Sequence, residues 1–344
     1  MTKNRIRDYG INIGILKTGK NNSITDVKGV KVGHCTLNDG DIKTGVTAVI
    51  PHEGNIFREK LIAAAHVING FGKTTGIIQI NELGTLETPI ILTNTLSVGC
   101  ASEALVEYML KNNADIGVTT GTVNPVVCEC NDGYLNDIRG MHVKKEHVLE
   151  SIRSADVLFE EGAVGAGTGM SCYELKGGIG TASRIIEIGN NTYTLGVLVL
   201  TNFGLKQDLI VDGTKVGRTI DSSIPKNESE KGSCIIIVAT DIPLLHRQLR
   251  RVCKRTSIGL GRTGSFMGNG SGEIVIGFST ANKINHYDSE DVMNIKVIRD
   301  DKINTVFRAV IESTEEAVLN SLICAETTKG RDGHVRYSLK EYKI

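Results

Sequence analysis

The chain alternates short apolar, β-branched runs with segments whose apolar positions repeat near the helical period. The apolar runs are predicted as strands, and several are continuously apolar, as in strands buried on both faces. They cover residues 45–50, 76–79, 89–92, 194–201, 234–240 and 272–278. Helices are predicted over residues 97–110, 244–254 and 313–325, the last with capping-box spacing from Ser313 to Glu316. This pattern predicts an α/β or α+β fold in which helices cover sheets.

One polar segment interrupts this pattern directly before a buried strand. Residues 212–231 are polar and charged and include Pro225, so they are predicted to form an exposed, mobile loop. Gly232 and Ser233 follow at once and lead into the apolar run 234–240. A mobile loop that delivers Gly-Ser onto the start of a rigid strand is what a self-processing site requires.

The Gly232–Ser233 dipeptide has the chemistry for self-cleavage. A serine hydroxyl can attack the carbonyl of the preceding residue, and a glycine there lacks a Cβ and tolerates strained dihedral angles. Hydrolysis of the resulting ester would leave Ser233 with a free α-amine. Because an α-amine has a pKa of roughly 7.7–8.0, it could act as the general base for its own hydroxyl. Gly-Ser is also common in ordinary turns, so the dipeptide alone leaves both interpretations open.

Composition narrows the classes of protein. Of 344 residues, 40% are hydrophobic, and 39 basic residues balance 39 acidic ones, so a sizeable core is expected and a nucleic-acid partner is not. No apolar run reaches the roughly 18 residues of a membrane span. The charged start of the chain lacks the apolar core of a signal peptide, which predicts a cytoplasmic location.

The sequence also predicts neither a metal site nor a cofactor. The eight cysteines are scattered and mostly apolar in context, as reduced buried thiols are, and no HExxH pattern occurs among the histidines. The glycine cluster at 165–169 lacks the acidic residue and the clear βαβ unit of a dinucleotide site. A backbone-packing role near the active site is predicted for it instead.

An ordered set of motifs along nearly the entire chain resembles the L-aminopeptidase/D-amidase-esterase family, which includes β-peptidyl aminopeptidases. These motifs lie at residues 22–34, 81–90, 132–137, 162–170, 176–183, 232–244 and 272–280. The resemblance implies a four-layer αββα sandwich of the self-processing N-terminal-nucleophile type. It implies a single domain, 1–344, cut into fragments 1–232 and 233–344 that stay associated, and a homotetramer.

The resemblance also implies catalytic residues around Ser233. Ser271 and Glu273 match the family's Ser-x-Glu pair, and a strand here would place both side chains on one face, where they could contact the Ser233 amine or hydroxyl. A glycine-rich turn entering a strand is the alternative for this pair. Asn202 matches an asparagine of the oxyanion hole, a suitable donor for acyl transfer. A turn residue at a strand end is the alternative for Asn202.

Two further positions bear on substrate binding. Glu129 corresponds to a glutamate that receives the substrate's free amine in relatives, and a carboxylate selects an unblocked amine by charge-assisted hydrogen bonding. A solvated charge at a strand end is the alternative. Asn131 stands where relatives often carry an aromatic residue, so the preferred substrate side chain stays open.

These observations predict a self-processing serine aminopeptidase or amidase acting through an acyl-enzyme on Ser233. Its substrates would be small peptides, amino-acid amides or esters, and the L-, D- and β-forms stay open. Whether the Ser233 amine or Ser271 accepts the proton is also open. An uncleaved binding protein and an acyltransferase that uses an amine acceptor are the alternatives.

Overall fold

The computed structural model describes residues 5–220, 231–288 and 290–342. Its strands are β1 Lys31–Asp39, β2 Ile42–Ile50, β3 Glu59–Gly70, β4 Thr85–Leu86, β5 Ile90–Asn94, β6 Val126–Cys130, β7 Ser171–Cys172, β8 Leu175–Lys176, β9 Ile179–Ile188, β10 Asn191–Asn202, β11 Lys231–Thr240, β12 Gly270–Asn285, β13 Thr328–Lys329 and β14 Val335–Arg336. Its α-helices are α1 Ile77–Leu83, α2 Val98–Asn112, α3 Lys145–Arg153, α4 Val216–Ile220, α5 His246–Cys253, α6 Thr256–Arg262 and α7 Asn304–Ile323.

The long strands form two sheets. A four-stranded sheet has the order β1-β2-β5-β6, and a six-stranded sheet has the order β4-β3-β12-β11-β10-β9. Strands β11 and β12 pair in parallel at the centre of the larger sheet, between the antiparallel neighbours β10 and β3. The start of β11 therefore lies in the interior of a sheet and not at an edge.

Alternating side chains of β11 show how the layers are stacked. Ile235 and Ile237 point into an apolar layer between the two sheets, whereas Ile236 and Val238 point to the other face, where α5, α6 and α7 pack. A third apolar cluster joins the outer face of the four-stranded sheet to α2 and α3. The predicted four-layer αββα sandwich is thus confirmed, and each strand face is buried as a period of two requires.

Three local predictions were wrong in whole or in part. Residues 76–79, predicted as a strand, are the N-cap and first residues of helix α1, because an apolar run of this length does not distinguish a strand from a helix. The predicted capping box from Ser313 to Glu316 lies inside α7, which begins at Asn304, and both side chains are buried. Within the predicted loop 212–231, α4 is helical, and residues 221–230 lie outside the described part of the chain. In the described residues, no helix is long and apolar enough to cross a membrane.

Candidate active site

The start of β11 lies against a cavity of about 700 Å³. Ser233 lines this cavity and is only 4% exposed. In the sheet it is in register with Asn202 of β10 on one side and with Gly272 of β12 on the other. The cavity wall also includes Phe71, Lys73, Thr95, Glu129, Asn131, Tyr134, Ser171, Glu174, Phe203, Lys231 and Arg336. The larger sheet therefore fixes Ser233 at the base of a polar, partly aromatic cavity.

Position 232 accepts only glycine without rearrangement of the neighbouring strand. Gly232 has φ of 154°, a value that residues with a side chain rarely adopt. An added Cβ would lie 2.1 Å from the carbonyl oxygen of Asn202 and 2.9 Å from Cα of Phe203. The backbone before Ser233 thus runs closer to β10 than any side chain would permit.

The Ser233 hydroxyl is buried, and its Oγ has no oxygen or nitrogen hydrogen-bond partner among the described residues. The Cys130 thiol is a neighbour of this hydroxyl. Burial raises the pKa of the thiol well above its usual range, the nearby Glu129 carboxylate adds to the rise, and a weak contact with the Ser233 hydroxyl opposes it. A thiol is only a weak hydrogen-bonding group. A buried hydroxyl without a conventional partner is uncommon in proteins, and an active-site role is one of its ordinary explanations.

The Asn202 side chain is held by two backbone groups beside Ser233. Its Oδ1 accepts a hydrogen bond from the Ser171 N–H at 3.0 Å, and its Nδ2 donates to the Asn131 carbonyl at 2.9 Å. An amide nitrogen carries two hydrogens, so one remains for a ligand. The side chain is therefore fixed beside Ser233, with one N–H group of its amide not used by a described residue.

A buried lysine fixes the peptide group that holds Asn202. The Lys176 ammonium is fully buried and donates to the carbonyl oxygens of Met170, Gly177 and Gly167 at 2.7, 2.7 and 3.0 Å. The Met170 carbonyl belongs to the same peptide group whose N–H binds Asn202. Local sequence does not indicate this role, since Lys176 stands only within a glycine-rich motif.

Ser271 and Glu273 lie together behind the Gly232–Ser233 peptide. The Ser271 hydroxyl donates to the Glu273 carboxylate, and both side chains are fully buried. This confirms that they share one face of β12. Ser271 is in register with Gly232 and not with Ser233. Neither Ser271 nor Glu273 lines the cavity. The pair is thus next to the peptide bond of interest and shielded from the substrate side.

Glu129 is a buried carboxylate in the cavity wall. One oxygen accepts a hydrogen bond from the Lys73 N–H at 2.9 Å, and the other accepts from the Thr95 hydroxyl. It forms no ion pair with any residue in the described ranges. Asn131 uses its Oδ1 for the Gly133 N–H at 2.9 Å and its carbonyl for Asn202. The structure thus brings Ser233, Asn202, Glu129 and Asn131 to one cavity.

Sequence reasoning did not find the remaining cavity residues. Lys73 and Thr95 hold Glu129, while Ser171 and Arg336 contact each other and belong to segments more than a hundred residues apart in the chain. Arg336 has its guanidinium 3.7 Å from the centre of the Tyr134 ring. No local pattern marks these residues, because long-range folding alone brings them together.

Solved structures share this fold over nearly the whole chain. The fold resembles that of the L-aminopeptidase D-Ala-esterase/amidase of Ochrobactrum anthropi, whose structure is described as a variant of the N-terminal-nucleophile hydrolase fold. The TM-score is 0.91 and the sequence identity is 36%, over 97% of this chain and 95% of that one. A protein from Pyrococcus horikoshii OT3 gives a TM-score of 0.94 and 57% identity, over 98% and 96% of the two chains.

The chain belongs to peptidase family S58, whose pattern matches residues 22–336. It is 38% identical to the β-peptidyl aminopeptidase BapA of Sphingosinicella microcystinivorans, over 98% of this chain and 92% of the relative. The chain is therefore a hydrolase of the aminopeptidase type, and the resemblance seen in the sequence is confirmed.

Proposed function

We propose that the chain cuts its own Gly232–Ser233 peptide bond and then uses Ser233 as the nucleophile of an aminopeptidase or amidase. The substrates proposed are small peptides, amino-acid amides or esters with a free amine. The observation that carries this proposal is the buried, unpartnered Ser233 hydroxyl directly after a position that admits only glycine. Membership of peptidase family S58 supports it.

The self-cleavage step begins with attack of Ser233 Oγ on the Gly232 carbonyl carbon. A C–O bond forms, the C–N bond breaks, and the nitrogen gains the proton that the hydroxyl loses. Ser271 is in register with Gly232 and is hydrogen-bonded to Glu273, so this pair is suited to relay that proton. Water then hydrolyses the ester, which leaves a carboxylate on Gly232 and a free amine and hydroxyl on Ser233.

In turnover, the new Ser233 amine takes the hydroxyl proton as Oγ attacks the substrate carbonyl. Negative charge develops on the carbonyl oxygen, and the second N–H of Asn202 Nδ2 is the donor proposed to stabilise it. The substrate's nitrogen leaves with the proton, and water releases the acyl group from Ser233. Ser271 is the alternative proton acceptor for the attack.

Glu129 is proposed to bind the free amine of the substrate. Its carboxylate is buried, fixed by two hydrogen bonds and without a cationic partner in the described residues. A substrate ammonium would supply the missing charge through a charge-assisted hydrogen bond. Asn131 is proposed to line the same subsite, and its main chain positions Asn202.

The test combines turnover with detection of the acyl-enzyme. Because relatives are named for L-, D- and β-substrates, L-, D- and β-aminoacyl nitroanilides are assayed together, with mass spectrometry of the quenched enzyme. We expect an acyl adduct on the fragment that begins at Ser233, and no turnover by Ser233→Ala. Ser313→Ala is the matched control, since it also removes a buried, unpartnered hydroxyl, in α7. Equal turnover by the wild type and Ser233→Ala would refute the proposal.

A cytoplasmic homotetramer is the assembly that we propose. None of the eight cysteines, all of which lie in the described ranges, forms a disulfide, and this suits a reducing compartment. Exposed apolar side chains, among them Phe71, Ile78 and Leu83, offer surface for contacts between subunits. Native mass spectrometry tests the stoichiometry, and a monomer at micromolar concentration would refute it.

A further inference from the structure

Arg336 is a charged residue of the cavity wall that the proposed reaction leaves unused. Arg336 of β14 lines the same cavity as Glu129 of β6. The two side chains form no ion pair with each other, and neither forms one with any other residue that the structure describes. A cavity that contains a separate anion and cation, each without an ion-pair partner, is complementary to a zwitterion.

Arg336 is held in place by contacts that leave the end of its side chain available. Its Nε donates to the Ser171 hydroxyl at 3.2 Å, and its guanidinium lies over the Tyr134 ring. Neither Nη atom donates to a described residue. A guanidinium that is already oriented loses little rotamer freedom when it binds an anion, so its two outer N–H groups form a preformed fork.

Ser171 places this fork beside the proposed oxyanion donor. The Ser171 hydroxyl accepts from Arg336, while the Ser171 N–H donates to the Asn202 side chain, which is in register with Ser233. Glu129 is fixed through different residues, Lys73 and Thr95. The anion and the cation thus have separate supports around one nucleophile.

Nearby charge does not neutralise Arg336. Glu174 lies close enough to stabilise the cation but makes no ion pair with it, and its carboxylate accepts the Lys206 N–H at 3.1 Å. Burial lowers the pKa of Arg336 from its usual range, and an arginine still keeps its charge at neutral pH. A partly buried cation of this kind is stabilised by an anionic ligand.

We propose that Arg336 binds the free carboxylate of the leaving amino acid, so that the preferred substrates are unblocked dipeptides. The inference rests on the proposed function, in which Glu129 binds the amine at the other end. An extended dipeptide spans about 7 Å between its charged ends. A carboxylate accepts two parallel hydrogen bonds from a guanidinium, which fixes the leaving group as well as attracting it.

The test compares a dipeptide with its own C-terminal amide. The two substrates share the acyl residue and the amine, so the ratio of their kcat/KM values reports only the carboxylate. We expect the wild type to favour the free dipeptide by about ten- to a hundredfold, the range of one charge-assisted hydrogen-bonded contact. We expect Arg336→Gln to bring the ratio close to one, and Arg336→Lys to restore part of it, since lysine keeps the charge without the fork.

Lys73→Gln is the matched control. Lys73 lines the same cavity, and its ammonium lies 5.0 Å from the centre of the Phe71 ring, so this variant removes one positive charge without touching Arg336. We expect it to lower the ratio less than about threefold, as a screened charge would. An equal fall of the ratio in Lys73→Gln and Arg336→Gln would show that the overall positive charge of the cavity, and not a specific site at Arg336, attracts the carboxylate. That result would overturn the proposal.

The failure of this inference differs from failure of the proposed function. A wild type that hydrolyses dipeptide and amide equally well overturns the Arg336 site and leaves the nucleophile standing. A wild type that hydrolyses neither and stays uncut overturns the proposed function. Because the ratio compares two substrates of the same variant, it does not depend on how much of that variant is active. Formation of the fragment that begins at Ser233 shows that the variant has folded. A partial loss of activity in Arg336→Gln therefore does not obscure the result.

Discussion

At the scale of single residues, the requirements of the proposed reaction meet at the Gly232–Ser233 peptide. The strand neighbour approaches Gly232 too closely for a Cβ, and φ there is 154°. One residue later, the chain turns a buried hydroxyl toward the layer between the sheets without a hydrogen bond to a described residue. Close approach and an unsatisfied nucleophile are both costly, and both are expected where function takes precedence over stability.

Gly232→Ala is predicted to leave the chain uncut. The methyl group would meet the Asn202 carbonyl at 2.1 Å and force the peptide away from the Ser233 hydroxyl. Denaturing electrophoresis of the purified variant measures this. Gly189→Ala is the control, because Gly189 also has positive φ, 61°, but an added Cβ there meets nothing within 4 Å. It should cost about 1–2 kcal/mol of folding free energy and still be cut. Normal cutting of Gly232→Ala would show that self-cleavage does not need the close approach of the strands at this position.

The sequence predicts the placement of some site residues but not of others. Alternation along a strand was enough to place Ser271 and Glu273 on one face, and the structure confirms it. Lys176 and Arg336 could not be found this way, because their roles depend on carbonyl groups and an aromatic ring contributed by other segments. Local periodicity constrains which face a side chain occupies, but not what that face meets.

At the scale of elements, a buried charge network joins β9 to helix α7. The Arg184 guanidinium is fully buried and bonds the carboxylates of Glu316 and Glu312 at 2.7 and 3.0 Å. Arg7, from the segment before the first strand, reaches the same Glu316 at 2.6 Å. Such a network orders its elements because removal of one charge leaves the others buried and unbalanced.

Glu316→Gln is predicted to lower the free energy of unfolding by about 3 kcal/mol at pH 7. Although burial raises the pKa of Glu316, the hydrogen bond from Arg7 and the charge of Arg184 outweigh it and hold this pKa below its usual value. Since the folded pKa is depressed, the stabilisation is present above the unfolded pKa of roughly 4.3 and is lost as pH falls through the folded pKa. The difference in the free energy of unfolding between the wild type and Glu316→Gln should therefore become smaller in acid.

Urea midpoints at pH 7 and at about pH 3.5 measure this effect. A Ser233→Ala background keeps both proteins in one piece. Glu326→Gln is the control, since Glu326 is 63% exposed in its pair with Lys340 and should change stability by less than about 1 kcal/mol. Equal midpoints for Glu316→Gln and its parent at pH 7 would show that the network contributes nothing.

Elements were predicted well where they were long. The strands at 194–201 and 234–240 and the helix at 97–110 were found because each has a sustained period or apolar run. The short run at 76–79 has the composition of a strand, but residues 77–79 belong to α1, and α7 begins at Asn304 instead of the predicted residue 313. Glu316 has the spacing of a capping residue but forms an ion pair with Arg184 instead. Local spacing does not reveal such a long-range contact.

At the scale of the whole molecule, cleavage would divide one sheet between two fragments. Strands β11 and β12 belong to the proposed fragment 233–344 and lie between β10 and β3 of the proposed fragment 1–232. Helix α7 of the smaller fragment packs on β9 and β10 of the larger. The two fragments thus share one apolar core, and neither has a complete sheet alone.

The fragments are predicted to stay together after cleavage. Separating them would break the ladders on both sides of the central strand pair and expose the apolar faces of β10 and β3. Size-exclusion chromatography should give one peak that contains both fragments in equal amounts, and 6 M guanidinium chloride, roughly the range that unfolds most domains, should separate them. Separation in plain buffer would contradict the shared core.

The most direct measurement is the intact mass of the denatured, purified protein beside Ser233→Ala and the control Ser313→Ala. We predict two fragments that meet at Gly232 and Ser233 for the wild type and for Ser313→Ala, and a single whole chain for Ser233→Ala. A wild type that stays whole on long incubation, or a Ser233→Ala variant cut at the same bond, would contradict it.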